Sequence, residues 1–351
     1  MGKIEETIKG ISLPDEKIKA LAQEHLDSLT KPIGSLGRLE ELAKQITAIT
    51  HNLKPELKNK VIFTLAADHG ITQEGVSPYP KEVTAQMVYN FLNGGAAINV
   101  LARHVGARVV VADLGVASDL KPHPQLTIKK INYGTKNMYK GPAMSRDEAI
   151  RSIEAGIELF QQEYNKGIDI IGTGEMGIGN TTASSAITAL FTKKPVKDIT
   201  GRGAGLDDQG LARKIEIIEE AIKINQPNVQ DAIDVLAKVG GFEIGGLAGV
   251  ILAASAQKVP VVIDGFISGA AALIACQLEP KIKSCLIASH CSVEKGHRAI
   301  LEYLGLVPLF DLNLRLGEGT GAALGIGLAE AAVKIFTQMA TFKSAGVSER
   351  I

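Results

Sequence analysis

Short, continuously apolar runs of β-branched residues recur along the chain, and each ends in glycine or in a polar cluster. The runs span 61–65, 108–112, 168–171, 261–263 and 285–288. Because they do not alternate between apolar and polar residues, they are typical of parallel strands covered by helices on both faces. Helical periodicity separates them, at 83–102, 147–164, 208–224 and 266–276. The pattern predicts an α/β fold built on a doubly wound, mostly parallel sheet.

The two ends of the chain have a different pattern. Apolar residues recur at helical spacing before and after a break at Lys31-Pro32-Ile33-Gly34, and Asp15 is placed to cap the first of these helices. Residues 319–342 form a long Ala-rich helical pattern that we expect to pack with the N-terminal helices. We therefore divide the chain into an N-terminal helical segment (1–59), an α/β domain (60–318) and a C-terminal helix (319–351), the first and last forming one small helical domain.

Composition and charge exclude several classes of protein. Lys and Arg number 38 and Asp and Glu also number 38, so no net field attracts nucleic acid or an anionic membrane. The N-terminal sequence has no apolar signal region, and no run reaches about 18 uninterrupted apolar residues. The three cysteines lack CxxC spacing, and their odd number argues against a disulfide framework. These features predict a soluble, cytoplasmic protein without a nucleic-acid or membrane partner.

Acidic, histidine and glycine residues follow nearly every predicted strand. The segments are Ala67-Asp68-His69-Gly70, Asp113-Leu114-Gly115, the glycine-rich stretch after 171, Asp264-Gly265-Phe266 and Ser289-His290-Cys291-Ser292. In sheets of this class, ligands bind outside the carboxyl ends of the strands. We therefore expect these segments to surround a single site.

The first glycine-rich stretch, Gly172-x-Gly174-x-x-Gly177, allows three interpretations. A dinucleotide site also needs an acid about twenty residues further on, and no carboxylate stands there. Asn180 and Thr181, at the start of the following helix, favour a phosphate site built from backbone N–H groups and side-chain donors. A purely structural turn is the third interpretation.

A second glycine-rich stretch, Arg315-Leu316-Gly317-Glu318-Gly319-Thr320-Gly321, surrounds one carboxylate. The flanking glycines would let a flat substrate approach Glu318, although a glutamate in the first turn of a helix is also an ordinary cap. Arg202 and Lys214 either neutralise a phosphate or solvate a helix face. A catalytic thiol at Cys291 is disfavoured, since His290 is adjacent in sequence and points to the opposite face. A metal site at Asp68-His69 is disfavoured because no second ligand cluster has suitable spacing.

Seven segments carry a family resemblance when they are taken in order. They are KPIGSLGRLE (31–40), ADHG (67–70), GEMGIGNTT (174–182), VGGFE (239–243), DGF (264–266), SH (289–290) and RLGEG (315–319). Together they resemble the nicotinate-nucleotide–dimethylbenzimidazole phosphoribosyltransferases. The similarity runs from about residue 20 to about residue 340.

This resemblance implies transfer of 5-phosphoribosyl from nicotinate mononucleotide to 5,6-dimethylbenzimidazole, a step in assembling the lower ligand of cobalamin. It implies a Rossmann-like sheet with a small helical domain, and a homodimer that acts on small molecules. Glu318 takes the place of the family's general base, and Glu175 that of a second active-site carboxylate. The nicotinate of the donor is already a good leaving group, so we expect no metal and no cofactor. Burial should raise the pKa of Glu318.

The remaining predicted site residues fall into two groups. Those expected at the phosphate and ribose are Gly174, Gly177, Gly179, Asn180, Thr181, Lys214, Ser289 and Ser292. Those expected at the attacking base are Tyr79, Gln86, Met87, Leu316 and Asp264. Tyr79 stands where some family members carry Ser, and Gln86 lies one residue earlier than their Gln, so the preferred base is left open. Two rival functions are an NAD-dependent dehydrogenase using 172–177 and a non-enzymatic nucleotide-binding regulator.

Overall fold

In the computed structural model, which describes residues 2–348, six parallel strands form one sheet. They are β1 (Lys60–Ala67), β2 (Ala107–Gly115), β3 (Leu126–Ile128), β4 (Ile170–Met176), β5 (Val261–Ile263) and β6 (Leu286–Ala288). The strand order is β3-β2-β1-β4-β5-β6, and every neighbouring pair is parallel. This order reverses direction between β1 and β4, the point where doubly wound sheets bind ligands. The predicted fold class is confirmed.

Helices cover the sheet and follow its strands. They are α1 (Lys3–Lys9), α2 (Glu16–Ser28), α3 (Arg38–Thr50), α4 (Glu82–Leu92), α5 (Ala97–Val105), α6 (Arg146–Tyr164), α7 (Asn180–Thr192), α8 (Val196–Ile199), α9 (Asp208–Asn225), α10 (Ala232–Val239), α11 (Phe242–Ala256), α12 (Phe266–Leu278), α13 (Lys295–Leu304), α14 (Thr320–Gln338) and α15 (Phe342–Ala345). Short 3-10 helices span Gly70–Glu74 and Pro280–Cys285.

Strand β1 is apolar except for Lys60 and Thr64, and its packing explains why. Its alternate residues Val61, Phe63 and Leu65 belong to a core shared with α6 and α11, whereas Ile62 and Ala66 belong to a core shared with α5 and α14. Successive side chains of a strand point to opposite faces, so burial of both faces leaves no position for a solvated polar residue.

The helices at the two ends of the chain meet on one face of the sheet. Helices α2 and α3 pack together, and α3 packs against α14. His25 Nε2 lies 2.8 Å from the carbonyl oxygen of Phe336, and the carboxylate of Asp15 caps α2 as expected. Helix α1 packs instead against α6 and α11, on the other face. The proposed domain boundaries remain a prediction.

Two helical patterns were predicted as longer than they are. The pattern at 83–102 breaks into α4 and α5, because Gly94 takes the left-handed conformation with φ 74°. The C-terminal pattern ends at Gln338, followed by the separate short helix α15. Strand β3 was missed altogether, since it has three residues and lies at the exposed edge of the sheet.

Helix α14 is long and apolar enough to cross a membrane by length and composition alone. It is interrupted by Glu330 and Lys334, which form an ion pair at 2.8 Å. The helix packs against α3, α5 and β4, and 56% of its apolar stretch is buried inside the protein. A core helix passes the same test, so this finding is weak evidence for a membrane span.

Candidate active site

A cavity of about 650 Å³ opens at the carboxyl edge of the sheet, beside the ends of β4 and β5. The predicted site residues that line it are Tyr79, Met87, Glu175, Gly177, Gly179, Asn180, Thr181, Ser292, Leu316 and Glu318. Among the described residues, those predicted for the site but absent from the cavity wall are Gln86, Gly174, Lys214, Asp264 and Ser289. The segments after β4, β5 and β6 therefore share one cavity, whereas the predicted segments 67–70 and 113–115 contribute no residue to its wall.

The Glu318 carboxylate lies in a turn of unusual backbone geometry. Gly317, Glu318 and Gly319 all have positive φ, at 82°, 64° and 98°. Thr320 closes the turn, since its N–H and its hydroxyl both donate to the carbonyl oxygen of Gly317. A non-glycine residue persists in the left-handed region only where its surroundings fix it, and such residues cluster at functional sites.

The side chain of Glu318 is 5% exposed, and one carboxylate oxygen accepts from the backbone N–H of Ile98, at 3.3 Å, in the first turn of α5. Burial raises the pKa of Glu318 above its ordinary value, although the hydrogen bond from Ile98 partly offsets this. The expected direction of the shift is confirmed. A carboxylate with a raised pKa is a stronger base than an exposed one.

Glu175 is a second buried carboxyl group on the same cavity. It belongs to β4, and its oxygen accepts a hydrogen bond from the side-chain amide of Asn180. Burial raises the pKa of Glu175 to about 8, and the neighbouring carboxyl groups of Asp264 and Glu243 add to the shift. Glu175 is therefore mostly protonated at neutral pH.

The prediction that Gly172-x-Gly174-x-x-Gly177 forms a turn between strand and helix was wrong. Gly172 and Gly174 lie within β4, and only 177–179 form the turn that leads into α7. A Cβ on Gly174 would lie 2.2 Å from the carbonyl oxygen of Glu318, so this glycine makes room for the turn that carries the carboxylate. The dinucleotide fingerprint is not formed, and the dehydrogenase alternative is not supported.

A positively charged group lies behind the start of α7. Lys214 is 1% exposed, and its Nζ donates to the hydroxyl of Thr181 at 2.7 Å. Burial lowers the pKa of Lys214 to about 8, although the nearby Glu294 carboxylate opposes this. By contrast, the side chain of Arg202 is half exposed and pairs with Asp208. The helix start, the Thr181 hydroxyl and the Lys214 ammonium together suit an anion.

The loop after β6 is held by buried hydrogen bonds. The hydroxyl of Ser289 donates to the carbonyl oxygen of Ile263 at 2.7 Å, and that of Ser292 donates to the carbonyl oxygen of Leu314 at 3.1 Å. The backbone N–H of Ser292 donates to Nδ1 of His297, whose pKa burial lowers to about 3. His297 is therefore neutral at physiological pH. The Ser289 hydroxyl is occupied by its hydrogen bond to the backbone, and Ser289 does not line the cavity.

The base side of the cavity is apolar and open. Tyr79 and Leu316 are 52% and 58% exposed, and Met87, which also lines the cavity, is partly buried. Gln86 is exposed and is absent from the cavity wall. Asp264 lies beneath the turn, where its carboxylate accepts from the backbone N–H groups of Gly319 at 3.2 Å and Ala322 at 3.0 Å. Burial raises the pKa of Asp264 to about 7.

Several residues of the wall were not predicted individually as site residues, although Gly265, Phe266, His290, Arg315 and Gly317 lie in segments expected at the site. These wall residues are Val76, Ser77, Val83, Met176, Ile178, Gly203, Ala204, Gly265, Phe266, Ile267, His290, Glu294, Asn313, Leu314, Arg315 and Gly317. Most are neighbours of motif residues, so the motifs could have located them. His290 lines the cavity and its ring stacks on Phe310, whereas Cys291 is absent from the described wall, which gives no support to a catalytic thiol.

A buried ion pair lies beneath the turn at 177–179. His69 Nε2 is 2.6 Å from a carboxylate oxygen of Glu243, and both side chains are almost fully buried. Burial alone would lower the pKa of His69, but the facing Glu243 carboxylate raises it above its ordinary value. The motifs ADHG and VGGFE contain these residues, yet no local signal pairs them. Within residues 2–348, no group of three His, Cys, Asp or Glu side chains could hold a metal ion.

The sequence and the fold of this chain both match known proteins. Residues 11–347 match the family described as Phosphoribosyltransferase. The chain belongs to this phosphoribosyltransferase family, and the resemblance inferred from the seven ordered segments is confirmed.

Two similar proteins carry the name nicotinate-nucleotide–dimethylbenzimidazole phosphoribosyltransferase. That of Roseiflexus sp. is 59% identical over 351 residues, covering 100% of this chain and 99% of the relative. That of Geobacter sulfurreducens is 55% identical over 349 residues, covering 99% of both. A crystal structure of the enzyme of this name from Thermus thermophilus superposes with a TM-score of 0.91 at 44% identity, covering 96% of this chain and 100% of that one.

Proposed function

We propose that this protein transfers the 5-phosphoribosyl group of nicotinate mononucleotide to 5,6-dimethylbenzimidazole, giving α-ribazole 5′-phosphate and nicotinate. One observation carries the proposal. The Glu318 carboxylate and an anion-binding helix start, backed by Lys214, face one cavity of about 650 Å³. A substrate with a phosphate at one end and a reacting nitrogen at the other would span them.

The chemistry needs one base. The nicotinate ring on C1′ is a pyridinium, so the C1′–N bond breaks with its electron pair returning to the ring. The lone pair of one benzimidazole nitrogen forms the new bond to C1′, and the proton on the other nitrogen passes to the carboxylate of Glu318. A positioned base of this kind contributes about 10²–10⁴-fold to the rate. The negative charge of Glu318 also stabilises the cation that develops on the attacking ring.

Glu175 presents an apparent difficulty, since a carboxylate beside the phosphate turn would repel the donor. Its raised pKa of about 8 removes the difficulty, because a protonated Glu175 carries no charge at neutral pH. The phosphate would then lie on the turn of Gly177 and Gly179 and the start of α7, with Thr181 and Lys214 as donors. Asn180 would orient Glu175 as well as face the donor.

The base would lie between Tyr79, Met87 and Leu316, with Glu318 at its far nitrogen. Aromatic residues are scarce in this chain, at 4%, so aliphatic contacts and one carboxylate would hold the ring. Gln86, Gly174, Asp264 and Ser289 would act from outside the wall, Gln86 through a contact made only when ligand binds. The N-terminal segment (1–59) and the C-terminal segment (319–351) would form a small domain beside the α/β domain (60–318), with α1 packed instead against α6 and α11. A cytoplasmic homodimer without cofactor completes the proposal, supported by the resemblance.

The decisive experiment incubates the purified protein with nicotinate mononucleotide and a panel of lower-ligand bases. The products are separated and identified by mass. We expect nicotinate release together with a phosphoribosylated base, and about 10²–10⁴-fold slower formation of both products by Glu318→Gln under the same conditions. Absence of nicotinate release with every base would overturn the proposal. The base with the highest kcat/KM would identify the physiological acceptor class.

A further inference from the structure

The peptide bond between Glu318 and Gly319 is held on both sides by buried side chains. The hydroxyl of Thr64 donates to the carbonyl oxygen of Glu318 at 3.0 Å. A carboxylate oxygen of Asp264 accepts from the N–H of Gly319 at 3.2 Å. Thr64 is 0% exposed and Asp264 is 1% exposed, and neither belongs to the cavity wall. Strand β1 and the residue that directly follows β5 thus supply the two hydrogen-bonding partners of one peptide group.

The backbone on either side of this peptide is strained. Glu318 has φ 64° between two glycines that also have positive φ. An L-residue in that region is disfavoured, so the conformation must be imposed by its contacts. Because the direction of a side chain follows from the backbone that carries it, rotation of this peptide would move the Glu318 carboxylate away from its present position.

The residues of β1 and β4 that lie beneath the Glu318–Gly319 peptide leave space for it. Thr64 pairs with Gly174 in the register of β1 and β4. A Cβ on Gly174 would lie 2.2 Å from the carbonyl oxygen of Glu318. Because Gly174 has no side chain, the carbonyl oxygen of Glu318 can approach β4 closely enough to accept the hydrogen bond from Thr64. The Thr64 hydrogen bond therefore requires glycine at position 174.

We propose that Thr64 is a positioning residue, which together with Asp264 fixes the Glu318–Gly319 peptide so that the Glu318 carboxylate faces the attacking base. This inference rests on the proposed function, in which Glu318 is the base. Asp264 also accepts from Ala322 and so caps α14, which makes it a less selective probe. The side-chain hydrogen bond described for Thr64 goes to the carbonyl oxygen of Glu318. Thr64 is therefore the more selective residue to test.

The test compares Thr64→Val with Thr64→Ser. Valine keeps the shape of threonine but cannot donate, whereas serine keeps the hydroxyl. We expect Thr64→Val to lower kcat at least about tenfold, with both KM values within about twofold of wild type, since a small misplacement of a catalytic group is costly. Thr64→Ser should restore most of the lost kcat. Thr47→Val is the matched control, because its buried hydroxyl bonds to Ala43 at 2.7 Å, remote from the cavity, and its kcat should be unchanged.

A double-mutant cycle separates positioning from general damage. In a Glu318→Gln background, where the base is already lost, Thr64→Val should lower the residual rate by less than about twofold. An equal loss in both backgrounds would overturn the proposal, as would wild-type kcat in Thr64→Val. If Thr64→Val does not fold, Thr64→Ala takes its place with the same expected and contradicting results. An inactive wild-type protein would contradict the proposed function instead.

Discussion

The side-chain amide of Asn180 donates a hydrogen bond to the carboxyl group of Glu175. Asn180 begins α7, and Glu175 belongs to β4, so this contact joins the helix start that faces the anion to a carboxyl group of the cavity. Binding of the phosphate and the protonation of Glu175 are therefore expected to be linked.

Replacing Asn180 should affect one substrate more than the other. We expect Asn180→Ala to raise the KM for nicotinate mononucleotide about tenfold or more, because a buried polar contact at the anion site is lost. The KM for the base should change little. Steady-state kinetics with each substrate varied in turn gives both values. Asn225→Ala is a suitable control, since its buried amide donates to Met138 and Ala221, outside the cavity. Equal increases in both KM values would count against a phosphate site at this turn.

The two carboxyl groups should respond differently to removal of their charge. At pH 7, Glu318→Gln should lower kcat by about 10²–10⁴-fold while leaving both KM values close to wild type, because it removes the base. Glu175→Gln should lower kcat by less than about fivefold, since Glu175 with a pKa of about 8 is already mostly protonated. A large loss in Glu175→Gln at pH 7 would show that Glu175 acts in its ionised form.

The dependence of kcat and kcat/KM on pH provides a further comparison of the same variants. Activity should fall in acid as Glu318 becomes protonated, at a pH above the ordinary 4.5 of a glutamate, because burial raises its pKa. The kcat/KM for nicotinate mononucleotide should fall above about pH 8, because ionised Glu175 repels the donor phosphate. Lys214 loses its proton in the same range and also weakens donor binding. Glu175→Gln should therefore reduce this alkaline fall but not abolish it.

Lys214 and Arg202 form a matched pair for the anion site. Lys214→Met should raise the KM for nicotinate mononucleotide about tenfold or more, because a buried ammonium beside Thr181 is lost. Arg202→Met should change it less than about twofold, since Arg202 is exposed and paired with Asp208. Measurements at two salt concentrations would separate local contact from general attraction. The reverse ranking would move the phosphate toward the loop of Arg202.

The buried ionisable groups predict how stability changes between about pH 6.5 and pH 8. Glu175 and Asp264 have pKa values raised to about 8 and about 7, so the folded protein holds more protons than the unfolded chain in this range. The free energy of unfolding should therefore decrease as pH rises. The raised pKa of His69 acts in the same direction above 6.5. The lowered pKa of Lys214 acts oppositely only above about 8, and that of His297 only below 6.5.

Urea unfolding at several pH values would measure this slope, and Glu175→Gln should flatten it. A free energy of unfolding that increases with pH across the same range would contradict the assignment of Glu175 and Asp264 as protonated groups.

The sheet could be predicted from sequence because its signals are local, whereas the roles expected of Glu175 and Glu318 came from the family resemblance. Continuous β-branched runs identify strands, and the glycines around Glu318 identify a turn. The glycine spacing wrongly predicted a turn at Gly172 and Gly174, which lie in β4. Gly174 instead makes room for the segment around Glu318, more than a hundred residues further along the chain. Spacing alone cannot distinguish these two uses of glycine.

The contacts that hold the base could not be predicted for a related reason. Thr64 and Ile98 bond to Glu318 across sequence separations of 254 and 220 residues. Each looks ordinary in its own segment, as a threonine in a strand and an isoleucine in a helix. Only the folded arrangement of β1, α5 and the turn gives them a role, so no pattern within a short window could have shown it.

The contact between α2 and α14 has a consequence for how the protein is made. His25 and Phe336 lie 311 residues apart, and α14 begins soon after Glu318. During synthesis at about 5–20 residues per second, β1, β2 and β4 emerge well before the segment that completes both the helical layer and the cavity. The nascent protein should therefore carry its anion-binding turn first and acquire its base last. Activity of the nascent protein would then appear late and abruptly, when α14 packs against α3, which was synthesised near the start.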